Sequence, residues 1–334
     1  MCAALIAFGF AAVHRTRSTQ SLPNQGGLHV SGRDIVEGGG EAFVMRGVSH
    51  PYAWYKDQNQ SFADIKRLGA NTVRVVLTDG VGADEVAGVI STCRQHRLIC
   101  VLEYHGTTGY GEDAASVTLD AAADYWLGLR QVLAGQEAYV VINVGNEPYG
   151  NHDTAGWTGA TKGAVAKLRG AGLKHLVMVD APNWGQDWSG VMRGNASAVF
   201  DADPLRNTVF SVHMYGVYGT AAKVTGYFDA FRDAGLPLVV GEFGWKHSDG
   251  GVDADTIMRE AQARGIGYLG WSWSGNGGGV EYLDMADGFD AGRPTAWGRR
   301  IFDGADGIRA TAREARVYGG AEAAAGKVRG PVHG

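Results

Sequence analysis

Cysteine, proline, net positive charge and long apolar runs are all scarce in this chain, and each scarcity excludes something. There are 3 Cys and 8 Pro in 334 residues, and no Pro/Ser-rich stretch breaks the chain into separately linked domains. A formal net charge of −5 argues against a nucleic-acid or anionic-membrane surface. The one conspicuous apolar run, residues 2 to 13, is too short to span a bilayer as a helix. It has the length of a signal-peptide core without the basic segment that normally precedes it. Residues 1–25 are therefore expected to be a clipped secretory signal or an unstructured start, and the protein to be secreted. That leaves Cys93 and Cys100, an even pair in an exported chain and a candidate disulfide between a helix end and the next strand.

The remaining composition, 45 % hydrophobic and 19 % charged, is that of a soluble globular protein with a large core. Nine Trp, several in expected loops, suit flat apolar ligand faces such as those of sugar rings. Leu28 to Val44 reads as a hairpin turning at Gly38–Gly40. Strand-like and helix-like segments then alternate. The expected strands are Phe43–His50, Thr72–Leu77, Ile99–His105, Tyr139–Glu147, His175–Pro182, Thr208–Tyr215, Pro237–Glu242 and Gly267–Trp273, each followed by helical periodicity. Eight such units in one uninterrupted chain predict an α/β fold, a closed (β/α)8 TIM barrel over residues 26–318. Residues 319–334 read as a tail or linker stub.

In such a barrel, function sits at the C-terminal ends of the strands. Those ends carry His50, Arg74, His105, Asn146 with Glu147, His213 with Tyr215, Glu242 and Trp271. Taken singly, each has an ordinary structural reading: a core histidine, a barrel ion pair, a packed indole, a turn closing a strand. Together they predict a site. Glu147 and Glu242 each end a strongly apolar strand, and two carboxylates across a cleft are the apparatus of glycoside hydrolysis. Arg74 is the expected partner that keeps Glu242 ionised. Gly265–Gly270 matches G-x-G-x-x-G but starts a strand, the wrong context for a dinucleotide. The His and Cys show no zinc spacing, and nothing requires a structural Ca²⁺, although loop acids offer ligands. No cofactor is expected. Asn59-Gln-Ser61 and Asn195-Ala-Ser197 are glycosylation acceptors only in a host that uses them.

The chain resembles family 5 glycoside hydrolases and, more narrowly, the bacterial endo-β-1,4-mannanases of that family. The resemblance runs over roughly residues 27–315. It rests on Gly47-Val-Ser-His-Pro-Tyr-Ala-Trp-Tyr55, Gly69-Ala-Asn-Thr-Val-Arg-Val-Val-Leu77, Val144-Gly-Asn-Glu-Pro148, Ala181-Pro-Asn-Trp-Gly-Gln-Asp-Trp188, Val212-His-Met-Tyr-Gly-Val-Tyr218, Val240-Gly-Glu-Phe-Gly244 and Gly270-Trp-Ser-Trp-Ser-Gly-Asn-Gly-Gly-Gly-Val-Glu-Tyr-Leu-Asp284. It implies Glu147 as acid/base and Glu242 as nucleophile. Asn146 would hold the sugar 2-hydroxyl, Arg74 and Tyr215 would orient Glu242, and His213 would sit near Glu147. It further implies His105 and Trp271 as lining, and Trp54, Trp184 and Trp273 as sugar contacts. Ser49, Tyr52, Gly106 and Trp245 depart from the family's usual residues and bear on subsite contacts. The implied substrate is a β-mannan, cleaved by a monomer. An endo-β-1,4-glucanase on the same scaffold and a non-catalytic carbohydrate-binding barrel are the competing readings.

Overall fold

The computed structural model describes residues 26–319. The signal-like segment 1–25 and residues 320–334 lie outside the described residues. A hairpin, β1 (His29–Ser31) and β2 (Asp34–Val36), precedes the strands β3 (Arg46–His50), β4 (Thr72–Leu77), β5 (Ile99–Tyr104), β6 (Val140–Asn143), β7 (Val177–Asp180), β8 (Thr208–Met214) and β9 (Leu238–Phe243). A two-residue pair, β10 (Lys246–His247) and β11 (Gly250–Gly251), follows, and then β12 (Gly267–Gly270). Strands β3 to β9 and β12 form a closed barrel in which every neighbouring pair is parallel. The crossovers are α1 (Gln60–Arg67), α2 (Ala83–Gln95), α3 (Leu119–Gly128) with α4 (Arg130–Leu133), α5 (Trp157–Gly170), α6 (Val191–Ala202), α7 (Ala221–Ala234) and α8 (Ala254–Arg264). α9 (Ala296–Asp303) and α10 (Ile308–Thr311) complete the outer layer. The predicted (β/α)8 architecture is thus the observed one.

The helix ends obey local chemistry. Thr118, Asp253 and Thr295 accept a backbone N–H through their side chains at the starts of α3, α8 and α9, as expected of N-caps. Several strands are shorter than the sequence reading, β3, β7 and β12 among them, and two differences bear on the site and the barrel floor. The first hairpin turns at Gly32, not at Gly38–Gly40; the three glycines make a second turn that brings Val36 back against Ala42. The strand expected over Tyr139–Glu147 ends at Asn143; beyond it Val144 N–H still bonds the Met178 carbonyl and Asn146 N–H that of Tyr104, and Glu147 then turns the chain with φ of +41°.

The barrel strands are buried on both faces, and their side chains alternate between two cores. Ile99, Val101, Val141, Met178, Val209, Val239 and Leu269 fill the barrel interior, with Leu28, Ile35 and Phe43 of the hairpin region closing its lower end. Cys100, Leu102, Val140, Ile142, Phe210 and Val240 face the helices. Going up the interior, apolar residues give way to polar ones two residues later: Val101 to Glu103, Val141 to Asn143, Met178 to Asp180, and Val209 to Ser211 and His213. The lower layers hold the fold and the top layer is left for chemistry.

The tryptophans divide along the same line. Trp126, Trp157, Trp273 and Trp297 are buried, so they are not ligand platforms. Three of them secure the strand tips from the helix layer: Trp126 Nε1 donates to the Val144 carbonyl, Trp157 Nε1 to that of Asp180 and Trp297 Nε1 to that of Trp271, at 2.8, 2.8 and 3.0 Å. Trp273 was expected to contact sugar. At 1 % exposure it instead packs edge-on against Phe302 of α9, because the strand ends at Gly270 and the chain turns this indole outward into the helix layer.

The expected disulfide is also absent: Cys93 and Cys100 are free, fully buried thiols. The α2–β5 contact brings the two thiols near each other in the buried layer between helix and strand. Burial, with the Cys100 contact adding to it, raises the Cys93 thiol well above its ordinary range, so the thiolate that would form a bridge is disfavoured. Iodoacetamide should therefore leave both residues unmodified in the folded protein and alkylate both in guanidinium without reductant. A Cys93–Cys100 linked peptide from unreduced protein would overturn this.

His50, at the tip of β3, does not belong to the site either. It is enclosed by Tyr52, Phe62 and Phe289, its ring nitrogens unpaired. Burial lowers it to about 3, and burial also lowers His175 to about 4. Both stay neutral in the fold while the unfolded chain protonates them near 6.5. The unfolded state thus binds more protons below that pH, and stability falls as pH drops from 6.5 toward 4. His50→Phe should flatten this slope, read as a smaller difference in thermal midpoint between pH 7 and pH 4.5. An unchanged difference would refute the assignment.

Candidate active site

A cleft of about 520 Å³ opens at the C-terminal mouth of the barrel, with Glu147 and Glu242 on its floor. Glu242 is the next-to-last residue of β9 and reaches its place through an irregularity in the sheet. Val212 pairs with Val240, but His213 pairs with Glu242, so Gly241 is an extra residue in β9. Such a bulge re-aims the side chain that follows it. A Cβ on residue 241 would lie 2.0 Å from Ser211 Oγ and 3.3 Å from His213 Nε2, so any larger residue would push on the floor beside His213. Glu147 comes to the same point from β6 by a residue with φ of +41°, a conformation that the surrounding structure must enforce. One carboxylate oxygen of each glutamate and a ring nitrogen of His213 lie within 4.8 Å of one another.

Each carboxylate has its own partners. Arg74 Nη1 donates to Glu242 Oε1 at 2.6 Å and the Tyr215 hydroxyl to Glu242 Oε2 at 2.8 Å. His213 Nδ1 lies 2.8 Å from Glu147 Oε1. Arg74 is not at a strand end, as its position in the sequence implied. It sits mid-strand in β4, fully buried, and extends upward inside the barrel. Its Nε donates to Asn143 Oδ1 at 3.0 Å and its Nη2 to Asn146 Oδ1 at 2.7 Å. Asn146 in turn donates to Thr108 Oγ1, which fixes its amide at the edge of the cleft.

Burial and charge compete throughout this floor. Burial pushes the Glu242 carboxyl above its ordinary range; His213 and Arg74 pull it back, Glu147 adds to the rise and the Tyr215 hydroxyl opposes it. Burial alone would lower His213, but Glu242 and Asp180 outweigh it and raise the imidazole to about 10. Asp180 responds in the opposite sense: burial would raise it, yet His213 and Arg74 hold it at about 2. Burial would also lower His105, and Glu103, 3.1 Å from its Nδ1, raises it instead. The Glu147–His213–Glu242 trio has the donor types of a metal site, and a cation there would have to displace the proton that the surrounding carboxylates favour on His213.

His105 and Trp271 line the cleft with their rings nearly parallel, 6.3 Å apart. The Trp271 indole is oriented by Asn276, which is itself held by Asp284. Trp184 also lines the cleft, its Nε1 donating to Glu112. Trp54, 53 % exposed, stands at the rim with its ring edge-on to His105. Glu147, Glu242, Arg74, Asn146, His213, Tyr215, His105, Trp271, Trp184 and Trp54 are therefore gathered at one mouth, and Trp273 and His50 are not. Sequence reasoning missed Glu103, Asn143 and Asp180 on the floor, and Trp188 and His247 on the walls. Asp180 had the same signal as the two glutamates: an acid closing the apolar strand Val177–Asp180.

Comparison with known proteins agrees with this geometry. The family described as "Cellulase (glycosyl hydrolase family 5)" matches residues 36–277. A mannan endo-1,4-beta-mannosidase of Streptomyces lividans is 62 % identical over 282 residues, which is 83 % of this chain and 73 % of that protein. The β-mannanase of Thermomonospora fusca superposes with a TM-score of 0.86 at 56 % identity, covering 87 % of this chain and 99 % of the other. A β-mannanase of Streptomyces thermolilacinus, solved with mannohexaose, gives 0.86 at 57 % identity, with 88 % and 98 % covered. Taken with the paired carboxylates at the barrel mouth, these matches mean that the chain belongs to glycosyl hydrolase family 5.

Proposed function

We propose that the protein is a retaining endo-β-1,4-mannanase acting on mannan, galactomannan or glucomannan. The observation that carries the reading is the close approach of Glu147 and Glu242 across an open cleft, each with different partners. Inverting enzymes need about 6.5–9.5 Å between their carboxyl groups to admit a water, whereas retaining ones stand about 5–5.5 Å apart. Oxygens within 4.8 Å suit the retaining arrangement. The similarity to mannanases, two of them at 56 % identity or more with TM-scores of 0.86, favours mannan over the glucan alternative. A merely carbohydrate-binding barrel would not need two carboxylates positioned this closely.

Glu242 is assigned as nucleophile, because Arg74 and Tyr215 both donate to it and favour its ionised form. Glu147 is assigned as acid/base. In the first half-reaction a Glu242 oxygen bonds to the anomeric carbon as the glycosidic C–O bond breaks, and the Glu147 proton goes to the departing oxygen. In the second, Glu147 takes a proton from water as its oxygen displaces Glu242 from the anomeric carbon. Asn146 is placed to bind a hydroxyl of the sugar at the cleavage point, with His105, Trp271, Trp184 and Trp54 as sugar-facing surfaces. Every step uses side chains of the chain itself, so the reading asks for no cofactor or metal. We further propose secretion, which the apolar segment 2–13 supports, and action as a monomer.

Azide discriminates the two roles. Glu147→Ala should lose turnover on mannan by roughly 10³-fold or more, keep cleaving an aryl glycoside with a good leaving group, and give a β-glycosyl azide. Glu242→Ala should give the α-azide. Exchange of these products would reverse the assignment. On polymers, reducing ends should form faster from galactomannan or glucomannan than from carboxymethylcellulose. The opposite order would restore the endoglucanase reading.

A further inference from the structure

We propose that Asp180 is a positioning residue that keeps His213 an imidazolium through both half-reactions, so that Glu147 alone carries the moving proton. The inference rests on the roles assigned above to Glu147 and Glu242. His213 is fully buried and faces three carboxylates. Its Nδ1 is 2.8 Å from Glu147 Oε1 and 3.6 Å from Glu242 Oε2, and its Nε2 is 3.2 Å from Asp180 Oδ2. The Nε2 contact is too bent to be a good hydrogen bond and is chiefly one of charge. A neutral imidazole has one N–H. Whichever nitrogen lost its proton would turn a lone pair toward a buried carboxylate, at a large cost in free energy.

Two of these carboxylates change charge during turnover. Glu147 is neutral while it waits to donate, and Glu242 is neutral once it is esterified to the sugar. Asp180 closes β7 at 1 % exposure, takes no part in either bond change, and is the charge that persists. It is braced to stay ionised: Asn143 Nδ2 donates to its Oδ1 at 2.9 Å, and Arg74 Nη2 and the Glu147 backbone N–H lie 3.5 and 3.4 Å from its Oδ2. Arg74 is not paired with His213 directly; both meet at Asp180 and Glu242. The ring itself is held in place. A Cβ on Gly185, where φ is +73°, would lie 2.5 Å from His213 Cγ. Without the Asp180 charge, a neutral His213 would compete in the glycosyl-enzyme for the proton that Glu147 takes from water.

Long-range ¹H–¹⁵N spectra of histidine-labelled protein at pH 7 test this, with the His213 ring assigned by its loss in His213→Gln. Both ring nitrogens should be protonated in the wild type and in Glu242→Gln, whose neutral side chain imitates the esterified nucleophile. In the double variant D180N/E242Q one of them should lose its proton. A neutral His213 in Glu242→Gln alone, or an imidazolium surviving in the double variant, would each overturn the proposal. In steady state, Asp180→Asn should lower kcat on the order of 10-fold or more, as when the acid behind a catalytic histidine is amidated, with KM little changed. A raised KM with kcat preserved would make Asp180 a binding residue and defeat it. Failure of the underlying assignment would show separately, as turnover retained by Glu242→Gln, on which the ring spectra do not depend.

Discussion

A guanidinium sealed inside the barrel is the constraint on which the active end depends. Arg74 is fully buried, and an unpaired charge there would be prohibitively costly. Its five N–H groups are met by a carboxylate, two amides and, at longer range, the acids Asp180 and Glu103. Those partners come from β5, β6, β7 and β9, so satisfying one cation fixes the relative heights of four strands. Glu242, Asn146 and Asp180 are held in place by the same demand. The chemistry of the cleft and the closure of the barrel are therefore not separable: loosening the network for one disturbs the other.

Around this cation the charges interlock. His213 meets Glu147, Asp180 and Glu242, while Arg74 meets Glu242 and Asp180. Buried ions become tolerable when each has a partner of opposite sign in good geometry. The same low-polarity surroundings that make the network costly make its fields strong, and they are aimed at the point where a glycosidic bond would lie. The walls differ in kind. They are half-exposed rings held by polar side chains, Trp184 on Glu112 and Trp271 on Asn276, where water competes for every contact.

Much of this was legible in the residues alone. Eight apolar strands separated by helical periodicity give a barrel because alternation of those two periods has few other closed solutions. Glu147 and Glu242 stood out because a carboxylate ending a buried strand needs a reason. Three features escaped for physical causes. The bulge at Gly241 is a relation between β8 and β9, not a property of either strand. Cys93 and Cys100 have a spacing compatible with a bridge, but burial depth decides whether thiols oxidise. Trp273 and Trp271 are two residues apart and would share a face in a continuing strand, but β12 ends at Gly270, so only Trp271 lines the cleft while Trp273 is buried against α9.

The sequence by itself determined the barrel, its strand order and the identity of the two glutamates, because these follow from short-range periodicity and from the cost of placing charge at the end of an apolar run. Only the tertiary structure decided who neutralises whom. Arg74, Asp180, His213 and Glu242 are separated by tens of residues. Coulombic pairing depends on distance through a poorly polarisable interior, which is a property of the folded packing and is written in no single stretch of chain.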